Sequence, residues 1–153
     1  MKNIFILFVA FAFFSVPVFS QKTAPESVKK EFAKKYPAAQ SVKWASEETN
    51  EWEAEFKVNG KEMSSSFDEK GIWLETESEI SEKELPVAVT NTLKKDFSGF
   101  KTGEISTIEN PKMKGFELAL KKGETSLEIV FDGSGKVIKK TEAKQEKEDK
   151  EKK

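Results

Sequence analysis

Residues 50–71 read NEWEAEFKVNGKEMSSSFDEKG, and this stretch decides the fold of the chain. Apolar and polar residues alternate through Trp52–Val58 and again through Met63–Phe67, which is the period of a β-strand that buries one face. Asn59-Gly60 between the two runs is a strong signal for a two-residue hairpin turn. Asp68 to Gly71 gives a second turn signal after the second run. The stretch therefore predicts antiparallel strands joined by tight turns.

Most of this pattern occurs a second time. Residues 116–135 read FELALKKGETSLEIVFDGSG, in which Phe131 follows Phe67 by 64 residues and Gly135 follows Gly71 by the same distance. A repeat of this size corresponds to a whole small fold rather than to a solenoid unit. Because a unit of about 60 residues buries little surface alone, we expect the two copies to share a core or a continuous sheet.

Each copy begins with the pattern of an amphipathic helix. Pro25 to Tyr36 and Pro86 to Phe97 each start with a proline, which suits a first helical turn, and carry apolar residues every four positions. The sequence therefore predicts an α+β fold of two tandem repeats, over residues 21–80 and 81–140. In each repeat one helix precedes an antiparallel meander of about four strands.

The two ends of the chain differ from this pattern. A lysine near the N-terminus, an unbroken apolar run over residues 4–14 and small residues before Gln21 predict a signal peptide, residues 1–20, cleaved between Ser20 and Gln21. The apolar run is shorter than the ~20 residues that span a bilayer. We therefore expect a periplasmic or secreted protein without a membrane anchor. Residues 141–153 are charged and predict a disordered tail.

The composition removes several classes of function. The chain contains no histidine and no cysteine, so it lacks the usual metal ligands, the usual near-neutral general base and a thiol nucleophile. Its 26 basic residues nearly balance its 27 acidic residues, which gives no strong field for nucleic acid. We therefore expect a protein that is not an enzyme, carries no cofactor and binds no nucleic acid.

The chain resembles the PepSY-like, beta-lactamase-inhibitor-like domain of secreted bacterial proteins. The resemblance covers residues 24–140, is strong in the first copy and is weaker in the second. It is carried by the helix pattern P-x-x-V-x-x-x-F-x-x-x-Y-P from Pro25 to Pro37, by W-E-A-E-F over residues 52–56, and by N-G-K-E and F-D-x-x-G after it. The family implies a fold like that of beta-lactamase inhibitor protein, with helices on one face of an extended sheet. Inhibition or binding of exported enzymes is an analogy from that fold.

Two acidic runs are candidate binding residues. Glu53 and Glu55 alternate along one predicted strand, as do Glu75 and Glu77 along another, so each pair shares a face of its strand. If the two strands were neighbours, their carboxylates could hold Ca²⁺, but a solvated acidic face that protects the sheet edge is the simpler interpretation. A glycosidase pair of carboxylates is a weaker alternative, because nothing in the sequence specifies a cleft.

Trp73 is the fifth candidate binding residue. Simple alternation puts it on the same face as Glu75 and Glu77, where it would be an exposed anchor for a partner. A bulge after Gly71 would instead turn it towards the core. We expect an exported module that binds a protein or peptide of the cell envelope or exterior through its open sheet face. An envelope sensor or small-ligand carrier, and a calcium-stabilised structural module, are the alternatives.

Overall fold

The computed structural model describes residues 23–46 and 50–143. The predicted signal peptide lies outside these residues, as does the part of the predicted tail after Ala143. The first half of the described chain contains α1 (Glu26–Lys35), β1 (Gln40–Ser46), β2 (Glu51–Val58), β3 (Lys61–Asp68) and β4 (Trp73–Glu79). The second half contains a 3-10 turn (Glu82–Glu84), α2 (Val87–Asp96), β5 (Lys101–Asn110), β6 (Met113–Lys122), β7 (Thr125–Phe131) and β8 (Val137–Ala143).

All eight strands form one antiparallel sheet in chain order, from β1 to β8. The two halves join where β4 pairs with β5, over Thr76–Glu79 and Ser106–Glu109. Both helices pack on the same face of this sheet. When the cross-strand partners are followed from β2 to β7, the buried apolar residues beneath α1 and those beneath α2 project from the same side. A mixed fold with two helices and an eight-stranded antiparallel sheet is therefore observed, with the opposite face left without a covering layer among the described residues.

Aromatic rings fill the space between α1 and the sheet. The ring of Phe32 lies 4.9 Å from that of Phe56, 5.2 Å from that of Trp44 and 6.2 Å from that of Phe67, measured between centroids. The apolar stripe predicted for α1 consists of Val28, Phe32 and Tyr36; the first two are buried here, and Tyr36 is half-buried against the same core. The core under α2 contains Val89, Leu118 and Ile129, each with no exposed surface. Burial of apolar surface at these two centres holds the helices on the sheet.

Two tight turns touch the helices directly. Gly71 has φ +86°, and a Cβ atom there would lie 2.8 Å from the carbonyl oxygen of Ser27 in α1. Gly135 has φ +80°, and a Cβ atom there would lie 2.5 Å from the carbonyl oxygen of Ala88 in α2. Only glycine fits both the backbone conformation and the close approach. The two turns thus place each helix at a fixed height above the sheet.

The last strand is longer than the sequence predicts. The predicted tail begins at residue 141, but β8 continues to Ala143, with Thr141 opposite Glu128 and Ala143 opposite Ser126 on β7. The reason is that strand pairing uses backbone N–H and C=O groups, which a charged segment supplies as well as an apolar one. The boundary predicted from composition, at residue 140, is therefore wrong, and the second half extends to Ala143.

Candidate functional site

The uncovered side of the sheet, which we call the open face, carries the four glutamates predicted from the sequence. Glu53 and Glu55 project from β2, and Glu75 and Glu77 project from β4. The two strands are not neighbours, because β3 lies between them and places serines between the acidic side chains. The structure therefore gathers all four residues on one face but separates the two pairs by two strand spacings, about 10 Å.

The second half adds acidic residues that the sequence analysis missed. Glu117 on β6 and Glu128 on β7 project from the same face, because their register partners Ser106 and Ala119 do so. Each is the one acidic residue of its strand and has apolar residues on both sides, and this isolation was the available signal. We call Glu53, Glu75, Glu77, Glu117 and Glu128 the carboxylate cluster. The cluster spans both halves of the sheet, which no single acidic run in the sequence indicates.

The carboxylate cluster is substantially buried although no helix covers it. Glu53 is only 6% exposed, and the side chain of Glu128 is 12% exposed. Two adjoining cavities open on this face, one of about 510 Å³ and one of about 430 Å³. Glu77, Glu104 and Ser106 line both of them. The open face is therefore a recessed surface rather than a flat solvated one.

Burial and crowding make two of these carboxyl groups hard to ionise. Desolvation raises the pKa of Glu77 to about 7, with a further contribution from the charges of Glu75, Glu53, Glu104 and Glu128. Desolvation likewise raises the pKa of Glu117 to about 8, helped by Glu77 and Glu128 and opposed by Lys139. Both carboxyl groups therefore titrate near neutral pH, where an ordinary glutamate is fully ionised.

Polar partners from neighbouring strands orient the cluster. Asn110 donates a hydrogen bond from Nδ2 to Oε2 of Glu75 over 3.0 Å, and this bond partly offsets the desolvation that raises the pKa of Glu75. Ser106 donates a longer one, 3.4 Å, to Oε2 of Glu77. Nζ of Lys139 lies 3.5 Å from Oε1 of Glu128. The arrangement holds several carboxyl groups close together, and the carboxylates outnumber the lysines of this face, which are Lys43, Lys57, Lys101, Lys121 and Lys139.

Trp73 does not lie with these glutamates. A β-bulge between β3 and β4 pairs Phe67 with Trp73 and Ser66 with Glu75, so the alternation shifts by one residue at Trp73. The indole Nε1 donates a hydrogen bond to Oγ1 of Thr76 over 2.8 Å on the helix side. The structure therefore contradicts the placement of Trp73 on the acidic face and shows the alternative, in which a bulge turns the ring inward.

The helix side of Trp73 is a packed polar network. Nζ of Lys35 lies 3.8 Å from the centre of the indole ring, an arrangement that favours a cation–π contact. The hydroxyl groups of Tyr36, Ser65 and Thr76 are mutually hydrogen bonded beneath it, and Ser65 is 1% exposed. Trp73 therefore contributes to the packing of α1 on the sheet.

Two further geometric findings bear on the alternatives considered from the sequence. Among residues 23–46 and 50–143, no three acidic side chains converge on a position that could hold a metal ion. In the same part of the chain, no helix is both long enough and apolar enough to cross a membrane.

Solved structures of bacterial proteins share this fold. A BLIP-like protein from Bacteroides fragilis superposes with a TM-score of 0.70 at 20% identity, covering 80% of this chain and 89% of its own. A DUF2874 family protein from Bacteroides uniformis gives a TM-score of 0.72 at 24% identity, covering 78% and 90%. A protein from Bacteroides eggerthii described as "putative periplasmic" gives 0.72 at 22% identity, covering 79% and 90%.

A family model gives the most direct assignment. No curated protein matches the chain. Residues 50–139, more than half of the chain, match the model described as "Putative beta-lactamase-inhibitor-like, PepSY-like". These residues include β2 to β7 and most of β8, and thus contain all five members of the carboxylate cluster. The chain therefore belongs to the PepSY-like, beta-lactamase-inhibitor-like family.

Proposed function

We propose that this protein is an exported, non-catalytic module that binds another exported protein through its open face. The observation that carries the proposal is the recessed, uncovered sheet surface, which gathers carboxyl groups from six strands, β2 to β7, around two adjoining cavities. An inhibitor-like family supports a binding role without catalysis. Because the surface is acidic, the complementary partner presents lysine or arginine side chains to it.

The export part of the proposal rests on two observations. The apolar run at residues 4–14, followed by small residues before Gln21, has the form of a cleaved secretory signal. The similar protein from Bacteroides eggerthii is described as "putative periplasmic". Mass spectrometry of the protein recovered from the exported fraction should give a mature N-terminus at Gln21. Recovery of the uncleaved chain in the cytoplasmic fraction would contradict export.

We also propose that the fold arose by tandem duplication of a helix-plus-meander unit. In support, each half has the order of one helix and four strands, and each has a glycine turn that touches the first turn of its own helix. The bulge that turns Trp73 inward has a counterpart at Val137, 64 residues later. Glu53 and Glu117 also differ by 64 residues and occupy the same face. The cluster would then be a feature that both copies share.

The binding proposal is tested by reversing charges that the fold does not need. Glu79 and Glu104 lie on the open face and are exposed, so the double variant Glu79→Lys, Glu104→Lys should fold normally. The matched control is Glu26→Lys, Glu142→Lys, which changes the net charge equally at exposed positions away from the open face. Each protein is immobilised and incubated with the exported protein fraction of the source cells.

We expect the wild type and the control to capture the same partner and the open-face variant to lose at least ten-fold of it. Circular dichroism of all three proteins confirms that the fold is intact before capture. Equal recovery by the open-face variant and the control would show that the open face does not carry binding. Loss by the control alone would move the binding surface to the helix side.

A further inference from the structure

The molecule has two separate hydrophobic centres, and one pair of strands joins them. The first centre lies under α1 and includes Phe32, Phe56 and Phe67, whereas the second lies under α2 and includes Leu118 and Ile129. Between them β4 pairs with β5 over four residue pairs, Thr76–Glu79 with Ser106–Glu109, which we call the seam. How firmly the two halves act as one unit depends on the interactions at the seam.

The seam has little apolar material on its helix side. The paired side chains there are Thr76 with Glu109 and Ser78 with Thr107, all of them polar, and the apolar contact is confined to Ile80 just after the end of β4, which packs against the second centre. On the open face the one buried apolar side chain in the ladder is Ile108, which is 3% exposed and lies opposite Glu77. Because hydrophobic burial is the main force that couples packed elements, the coupling across the seam rests mainly on backbone hydrogen bonds and electrostatics.

Carboxylates from both halves face each other across the seam. Glu75 and Glu77 reach it from β4, and Glu117 and Glu128 face them from β6 and β7. The other charged groups on this face around Glu77 and Glu117 are five glutamates and five lysines: Glu53, Glu55, Glu62, Glu79 and Glu104, with Lys43, Lys57, Lys101, Lys121 and Lys139. The glutamates outnumber the lysines on this face, and Lys57 and Lys139 are already paired with Glu62 and Glu128, so net repulsion between the halves remains when the glutamates are ionised. Protonation removes this repulsion and supplies O–H donors for the neighbouring oxygens.

We propose that the seam is a pH-dependent joint: protonated carboxylates let the two halves of the sheet unfold as one unit, and ionised carboxylates let them unfold as two. The joint operates near neutral pH, because burial and the neighbouring acids raise the pKa values of Glu77 and Glu117 towards that range. It is independent of the proposed binding function, although the same face of the sheet is involved.

The chain carries its own reporter for this test. All three tryptophans, Trp44, Trp52 and Trp73, lie in the first half, so tryptophan fluorescence follows that half alone. Far-ultraviolet circular dichroism follows both halves. Urea unfolding of the mature chain is recorded by both methods at pH 5 and at pH 9. Coincident transitions indicate one cooperative unit, and separated transitions indicate two.

We expect coincident midpoints at pH 5 and midpoints that differ by at least 0.5 M urea at pH 9. The double variant Glu77→Gln, Glu117→Gln should keep the transitions coincident at pH 9, because neither position can ionise. The control Glu26→Gln, Glu142→Gln should separate at pH 9 as the wild type does.

Three results would overturn the proposal. Wild-type transitions that coincide at both pH values would show that the seam does not respond to pH, and transitions that are separate at both would show the same. Separation of the Gln double variant at pH 9 to the same extent as the wild type would show that other groups control the coupling. If the double variant does not fold, the single variant Glu117→Gln is measured, and the wild-type comparison alone still decides.

Discussion

Replacing Glu117 by glutamine should stabilise this protein in alkali. Glutamine keeps the shape of the side chain and removes its charge. The pKa of Glu117 is about 8 in the folded protein against 4.5 for the ordinary group, because burial and the acids beside it disfavour the ionised form. Below pH 4.5 the carboxyl group is protonated in both the folded and the unfolded chain, so its ionisation has no effect on stability.

Between pH 4.5 and pH 8 the unfolded chain releases this proton while the folded protein keeps it, so stability falls as the pH rises. Above pH 8 the full cost of the buried charge is present. A pKa change of this size corresponds to a loss of at most about 5 kcal/mol in the free energy of unfolding. Partial exposure of the side chain reduces this cost, and we expect about 2 kcal/mol of unfolding free energy.

The assay is urea unfolding of the wild type and of Glu117→Gln at pH 4 and at pH 9, followed by circular dichroism and fitted with two transitions where two are seen. The variant should gain about 2 kcal/mol at pH 9 and less than about 0.5 kcal/mol at pH 4. Glu142→Gln, at an exposed position, should change stability by less than about 0.5 kcal/mol at either pH. A variant that is less stable than the wild type at pH 9, or a gain as large at pH 4, would refute this reasoning.

Three further substitutions test the packing. Gly135→Ala should cost at least about 2 kcal/mol of unfolding free energy by urea unfolding, because the residue has a positive φ and its Cβ would clash with the carbonyl of Ala88. The control Gly123→Ala, also at a positive φ but with no atom close to the added Cβ, should cost about 1 kcal/mol in the same assay. Trp73→Ala should cost about 2 kcal/mol in thermal unfolding while partner capture is unchanged; lost capture with an unchanged melt would contradict the inward placement. Thr76→Val should cost about 1–3 kcal/mol by urea unfolding, since it leaves the indole N–H of Trp73 without its acceptor; an unchanged midpoint would contradict this.

Much of the fold could be predicted from local patterns. The proline-initiated apolar stripe of α1 and the alternation of β2 and β3 each appear in the structure, because both depend on which residues a single element buries. Asn59 and Gly60 both have positive φ, as the predicted hairpin turn requires. The common face of Glu53, Glu55, Glu75 and Glu77 followed from the same alternation.

The remaining features depend on contacts between elements, which alternation within one strand does not report. The orientation of Trp73 is set by a bulge in the pairing of β4 with β3. The addition of Glu117 and Glu128 to the cluster requires that β5 pair with β4, so that the two halves form one sheet. The pKa of Glu77 is raised by burial under the assembled sheet and by the charges of Glu53, Glu104 and Glu128 on three other strands, as well as by Glu75 on its own strand. Such long-range effects cannot be read from the spacing of residues.

Carboxyl footprinting in the presence of the captured partner tests the central claim, that the open face is the binding surface, most directly. Carbodiimide-mediated labelling of exposed carboxylates is measured by mass spectrometry with the partner present and absent. The account predicts that Glu79 and Glu104, exposed on the open face, lose most of their labelling while Glu26 and Glu142 do not change. Protection of Glu26 and Glu142 with full labelling of Glu79 and Glu104 would contradict it.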